Sequence, residues 1–242
     1  MSIALYLAMT AADFSHCPLL PEPVAWMALH FSPAGQGLSN CPATLPPGSL
    51  LILDDQIPWA GHSGDMVCRT VESLLLNTGA MGLLLDFERP ALPETRSLAA
   101  ALAARCHRLG RAIAMPPDYL GDFAAAVFLP APPCYADPAK VMAPWQGRTV
   151  WLEAALTGYQ AEIRAGGVDI QPRQPEALAE LAAGEQSFLA PRRLFQYVSR
   201  GNSQGVTVNL FDTPDSLRAR LPAWEALGVS LAVGPWRQLR EN

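Results

Sequence analysis

Short apolar runs alternate with helix-patterned stretches along the whole chain, and this rhythm constrains the fold more than any other feature. Strand candidates begin near positions 3, 24, 50, 81, 111, 124, 149 and 229. Between them lie stretches with apolar residues at helical spacing. In 66–77 these are Met66, Val67, Val71, Leu74 and Leu75, and 98–109 is rich in alanine and leucine. Strands that alternate with helices imply parallel pairing with right-handed crossovers. Eight such strands are the number that closes a (β/α)8 TIM barrel. An open doubly wound sheet is the rival arrangement. It is disfavoured because no glycine-rich phosphate loop follows the first strand. After the seventh strand the rhythm breaks. Tyr159–Ile163 and Val168–Ile170 flank Ala-Gly-Gly and read as an inserted β-hairpin. Helices are expected over 175–183 and 216–226, with apolar strands at 194–198 and 206–211.

Length and composition fit this reading. The chain has 242 residues, of which 50% are hydrophobic and 16% charged, and its net charge is −5. One barrel domain spanning 1–242 is expected. Lysine and arginine form no cluster, so nucleic acid is not an expected partner. No apolar run reaches the roughly 20 residues that span a bilayer, so no membrane association is expected either. The first nine residues are apolar but lack a basic segment, which argues against a secretory signal and for a cytoplasmic protein. The five cysteines, at 17, 41, 68, 106 and 134, show no C-x-x-C pair. They read as reduced thiols rather than a zinc site or a disulfide framework. No cofactor or metal motif is present, and His16, His30, His62 and His107 have no ligand spacing. Gly61-His62-Ser63-Gly64-Asp65 misses the nucleophile-elbow pattern by one glycine and reads as a helix start.

The chemistry concentrates in Met81-Gly82-Leu83-Leu84-Leu85-Asp86-Phe87-Glu88-Arg89-Pro90. Side chains alternate along a strand, so 82, 84, 86 and 88 share a face. Asp86 and Glu88 therefore stand together, about 7 Å apart at their α-carbons, where the strand ends. Barrel enzymes place their chemistry at such C-terminal strand ends. A second carboxylate nearby raises the pKa of one member of a pair. Glu88 is accordingly expected to keep its proton near neutral pH, as a general acid must. Asp54 and Asp55 end the third strand and Glu153 lies on the seventh, so each is a candidate to line the same mouth. Tyr6, Tyr159 and Gln160 are weaker candidates.

The same stretch resembles the fourth strand of the family 18 glycoside hydrolases, D-G-x-D-x-D-W-E. Gly82, Asp86, Glu88 and Pro90 match in register, Phe87 replaces the Trp, and Met81 and Leu84 stand where the family has further Asp residues. A second likeness lies in Asn209-Leu210-Phe211-Asp212-Thr213-Pro214-Asp215-Ser216-Leu217, followed by a helix and Leu227-Gly228-Val229. It is similar to the family's aromatic-Asp-x-P-x-S-L turn, last helix and last strand. Thr213 or Asp212 is placed to cap that helix, and Pro214 suits its first turn. Ala112–Pro117 and Asp122-Phe123 are similar to the fifth strand and the lead into the sixth. The resemblance implies hydrolysis of glycans containing N-acetylglucosamine, from chitin-like to peptidoglycan or spore-cortex material. It implies Glu88 as acid and Asp86 as support for the substrate's acetamido group, without a cofactor. Carbohydrate is the partner this implies, and the oligomeric state is not indicated. The family's sixth strand ends in M-x-Y-D, whereas this chain reads Val127-Phe128-Leu129-Pro130. Tyr135 is a candidate to substitute from the following loop, and Trp236 is the candidate for the family's last-strand Trp. Two further readings stay open, a degenerate barrel that binds carbohydrate or a partner, and a barrel enzyme acting on a small cytosolic metabolite.

Overall fold

The structure is a computed structural model that describes residues 3–16, 23–33, 37–59, 64–182, 187–190, 193–202 and 205–239. His62, Cys17 and most of the near-elbow segment at 61–65 lie outside those residues. Strand β1 (Ala4–Met9) is followed by helix α1 (Ala11–His16) and strand β2 (Val24–Phe31). A two-residue β3 (Leu38–Ser39) hangs antiparallel on β2. Then come β4 (Leu50–Asp54), α2 (Gly64–Thr78), β5 (Gly82–Asp86), α3 (Pro93–Arg108), β6 (Ala112–Met115), β7 (Ala126–Leu129), α4 (Pro138–Met142) and β8 (Val150–Glu153). After an insertion, α6 (Pro214–Ala226), β14 (Val229–Pro235) and α7 (Trp236–Leu239) complete the described chain. The eight long strands pair in the order β1-β14-β8-β7-β6-β5-β4-β2, and a parallel β1–β2 pairing closes the ring. All eight expected barrel strands are present. No helix among the described residues is long and apolar enough to cross a membrane.

The strands read as continuous apolar runs because both of their faces are buried. Inward positions form one cluster, which includes Tyr6, Ala25, Ile52, Leu84, Phe128, Trp151 and Val233. The alternate positions face the helices. Leu51, Leu53, Leu83, Leu85, Ile113 and Met115 pack with Val67, Val71 and Leu75 of α2 and Leu98, Leu102 and Cys106 of α3. Gly82 is required by a close approach, because a Cβ there would lie 2.7 Å from the carbonyl oxygen of Ala112. The outer ring is economical. Only short loops and a single 3-10 turn (Pro117–Tyr119) join β6 to β7, since ten residues leave no room for a crossover helix.

The insertion after β8 is larger than the expected hairpin. The hairpin itself is β9 (Gly158–Arg164) and β10 (Gly167–Arg173), followed by α5 (Pro175–Ala182), β11 (Phe188–Leu189), β12 (Gln196–Asn202) and β13 (Gly205–Phe211). These five strands form an antiparallel sheet in the order β10-β9-β13-β12-β11. The apolar strands at 194–198 and 206–211 therefore belong to this second sheet. Leu178 and Ala182 of α5 cover one face through Val198 and Phe211. Chain return to the barrel uses the capped start of α6. Thr213 accepts a hydrogen bond from the Ser216 N–H at 3.2 Å, and the Ser216 hydroxyl accepts one from the Thr213 N–H at 2.8 Å. Of the two possible caps, Thr213 serves and Asp212 is freed for another partner.

Candidate active site

Parallel pairing sets Asp54 directly beside Asp86, because β4 and β5 run in register from Leu50↔Gly82 to Asp54↔Asp86. Both residues continue inward-facing positions, Ile52 and Leu84, and so does Glu153 beyond Trp151 on β8. Three strands thus end in carboxylates aimed at one mouth. Glu88 stands exposed just past β5. A cavity of about 310 Å³ is lined by Asp54, Asp55, Asp86, Glu88 and Arg89.

Each acid is held differently. Asp54 Oδ2 lies 2.6 Å from His30 Nδ1, and Asp54 Oδ1 accepts the Gln56 N–H at 3.1 Å. Glu153 Oε2 accepts the Ala131 N–H at 2.9 Å, which ties the end of β8 to the loop after β7. Asp55 is buried and does not point at the cavity's free space alone. Its two carboxylate oxygens accept the N–H groups of Glu88, at 2.9 Å, and Arg89, at 3.0 Å. Arg89 returns the contact, donating from Nε to the Asp55 carbonyl at 2.8 Å and from Nη2 to the Gln56 carbonyl at 3.1 Å. This reciprocal clamp fixes the backbone that carries Glu88. Asp55→Ala leaves two backbone donors without their acceptor, and a loss of about 1–3 kcal/mol is expected in urea denaturation. An unchanged midpoint would show the clamp to be ornamental.

Burial pushes the Asp86 carboxyl up to about 7, and the charges of Glu153, Glu88, Asp54 and Asp55 add to the shift in that order. The expectation placed the retained proton on Glu88, whereas the carboxyl these surroundings drive upward is that of Asp86. Glu153 is the strongest of the neighbouring charges because it too faces inward from its strand. The consequence for stability has a definite sign. A carboxyl raised in the fold binds its proton more tightly there than in the unfolded chain, where Asp titrates near 3.9. Its favourable contribution is present below about pH 4 and is lost as pH rises to about 7, on the order of 4 kcal/mol. Asp86→Asn is expected to flatten this slope and to exceed the wild type in stability at pH 8. Parallel slopes for the two proteins between pH 5 and pH 8 would refute the assignment.

The aromatic candidates separate. Tyr135 is exposed on the loop after β7 and packs edge-on against Tyr159 of β9, with ring centroids 5.0 Å apart. Gln160 is engaged within the inserted sheet, donating to Asn209 Oδ1 at 3.3 Å. Trp236 opens α7 and lines a separate hollow with Asp13, His16 and Arg237, whose lining includes none of Asp54, Asp55, Asp86 and Glu88. Tyr6 does not reach the mouth. Its hydroxyl donates to the Gly48 carbonyl at 3.2 Å and touches Met81 Sδ, both of which precede their strands, so it lies at the opposite end of the barrel. A strand early in the chain fixes which residues face inward but not at which level each side chain ends. His30 and Arg89 are the site residues that sequence reasoning passed over. Arg89 sat in plain view beside Glu88, while His30 became meaningful only when β2 was placed next to β4.

No family model matches the chain, and no curated protein matches it in sequence. Solved structures do. The spore cortex-lytic enzyme SleL of Bacillus megaterium QM B1551 superposes with a TM-score of 0.62 at 12% identity, over 99% of this chain and 71% of that one. The fold is that of the GH18 chitinases. A chitinase from Chromobacterium violaceum ATCC 12472 gives 0.61 at 11% identity, over 96% and 93% of the two chains. A GH18 chitinase from Cycas revoluta in complex with (GlcNAc)4 gives 0.58 at 13% identity, over 97% and 95%. The chain shares the (β/α)8 barrel fold of these structures.

Proposed function

We propose that this barrel hydrolyses glycans containing N-acetylglucosamine by the substrate-assisted, configuration-retaining route. The observation that carries the reading is the Asp86–Glu88 step at the end of β5, placed in a cavity with Asp54 and near Glu153. The Asp86 carboxyl, pushed up to about 7 by burial and the neighbouring carboxylates, is the source from which Glu88 takes a proton. Glu88 gives that proton to the glycosidic oxygen as the bond to the anomeric carbon breaks. The substrate's own acetamido oxygen bonds to that carbon from the face opposite the leaving group, and Asp86 stabilises the positive charge that develops on the acetamido group. Water then attacks the anomeric carbon, reopens the ring and returns a proton to Glu88. This sequence is the known exception to the two-carboxylate scheme. Tyr135 and Tyr159 offer an aromatic edge for a sugar ring beside the mouth. That the neighbouring folds include a complex with (GlcNAc)4 supports the choice of sugar.

Fluorogenic N-acetylglucosamine oligomers and peptidoglycan fragments, incubated with the folded wild-type protein, test the proposal. Turnover with retained anomeric configuration, followed by NMR, is the expected result. Inverted products would overturn the route. One observation favours a second reading, a barrel that binds glycans without cleaving them. The end of β7 carries Leu129 and Pro130 and supplies no polar side chain to hold an acetamido group. Saturable oligomer binding without turnover would establish that reading.

A further inference from the structure

A row of three polar side chains crosses the barrel mouth at one level. His30 of β2 stands opposite Asp54 of β4, and Asp54 stands opposite Asp86 of β5. Neighbouring strands lie about 4.8 Å apart, so residues in register on one face sit side by side. A bulge in β2 puts His30 in this row. Ala25 and Trp26 pair with Leu50 and Leu51, but Leu29 and His30 pair with Leu53 and Asp54, so Met27 and Ala28 together oppose Ile52. Without the extra residue the count would set Leu29 against Asp54. With it, Leu29 packs on the helix side with Leu53, and the imidazole meets the carboxylate. Bulges beside active sites re-aim a side chain in this way. We propose that His30 is a positioning residue that acts through Asp54, holding its carboxylate and offsetting its charge so that the proton of the mouth resides on Asp86, beside Glu88.

Three observations support this role. The first is the contact itself. His30 Nδ1 lies 2.6 Å from Asp54 Oδ2, with the side chains 21% and 9% exposed. The Nδ1 atom is buried and not aligned for a hydrogen bond, so the contact is one of charge. Salt screens a pair so placed much less than one at the surface. Second, the other inward acids are held by donors, which favour the charged form. Asp54 accepts the Gln56 N–H, Glu153 the Ala131 N–H, and Asp55 two backbone N–H groups. No donor reaches Asp86 among the described residues. Third, the charges around Asp86 are all negative. Glu153 faces it from β8, Glu88 from just past β5, and Asp54 and Asp55 from the end of β4. The Arg89 guanidinium is turned to the carbonyls of Asp55 and Gln56. His30 is therefore the cation of the row, and Asp54 is its one charged partner among the described residues. Without it, Asp54 and Asp86 would share a proton as a coupled pair. A proton on Asp54 sits one strand further from Glu88. The kinetic meaning of the row rests on the hydrolytic reading of the mouth, whereas its hold on the Asp86 proton does not.

Two measurements on the full chain test this: carbon-13 NMR titration of the Asp86 carboxyl in the resting protein, and kcat against pH on fluorogenic N-acetylglucosamine oligomers. His30→Gln leaves the Asp54 charge without its counterpart, and the Asp86 midpoint is expected to rise by about one pH unit. Asp54→Asn removes a negative neighbour and should lower the midpoint by a similar amount. Making both changes removes an anion and a cation together and should return the midpoint close to that of the wild type. For His30→Gln, kcat should fall by about tenfold, short of the 10²–10⁴ that a positioned general acid contributes. KM should change little, and the alkaline limb of kcat should move with the Asp86 midpoint. Partial unfolding lowers the height of such a profile without moving its limbs, so a merely structural role would shift neither reading. Midpoints that stay put, or that move the same way in both single variants, would overturn the inference. So would an alkaline limb that fails to follow the midpoint. Opposite midpoint shifts in a protein that turns over no oligomer would uphold the hold of His30 on the proton and count against hydrolysis instead.

Discussion

Glu88→Gln is expected to lower kcat on N-acetylglucosamine oligomers by about 10²–10⁴-fold, the range over which a positioned general acid contributes. KM should change little. The amide has the carboxyl's shape and keeps its hydrogen-bonding capacity for a bound sugar, but it has no proton to give. The side chain is exposed, and what fixes its position is the backbone clamp from Asp55, which the substitution leaves intact. Stability should therefore stay within error of the wild type, which separates a chemical effect from unfolding. Steady-state kinetics on both proteins decide the matter. Activity that survives the substitution would remove Glu88 from the mechanism and direct attention to Glu153, the other acid that most strongly influences Asp86.

Asp212→Ala is expected to be the most destabilising single substitution away from the mouth. The Asp212 side chain is fully buried, and its Oδ1 lies 2.6 Å from Arg220 Nη2, itself only 12% exposed. Its other oxygen accepts the Thr157 N–H at 3.1 Å and the Thr157 hydroxyl at 3.0 Å. Thr157 in turn accepts the Cys134 N–H at 2.9 Å, and Arg220 donates to the Cys134 carbonyl at 3.0 Å. One carboxylate thus joins the loop after β7, the start of the inserted sheet and helix α6. Truncating it strands the Arg220 charge in the interior, which costs about 3–5 kcal/mol. For a chain of this length each kcal/mol lowers the melting temperature by about 2–4 °C, so a fall of roughly 10 °C is expected in a thermal melt. Replacing Asp212 and Arg220 together by apolar residues should cost less than Asp212→Ala alone, since no charge is then left unpaired. A double variant as unstable as the sum of the singles would show that the two residues act separately.

Much of this molecule was legible in its residues. Strands buried on both faces announce themselves as apolar runs, and all eight barrel strands did so. The period-2 alternation placed Leu84 and Asp86 on one face before any partner strand was known. The Thr-Pro-Asp-Ser start of α6 carried its own local capping chemistry, complete within four residues. What the chain could not disclose locally was every relation between strands. Asp54 gained its meaning from the register that sets it beside Asp86, and His30 from the pairing of β2 with β4. Tyr6 shared the inward face but ended at the wrong level, against Gly48 and Met81. The inserted strands at 196–202 and 205–211 carried no signal of which sheet they join, because antiparallel partners are chosen by tertiary contact rather than by composition. The proton near neutrality went to Asp86 for the same reason. A carboxyl's pKa depends on burial and on charges from several strand ends, and those quantities exist only after the barrel has closed.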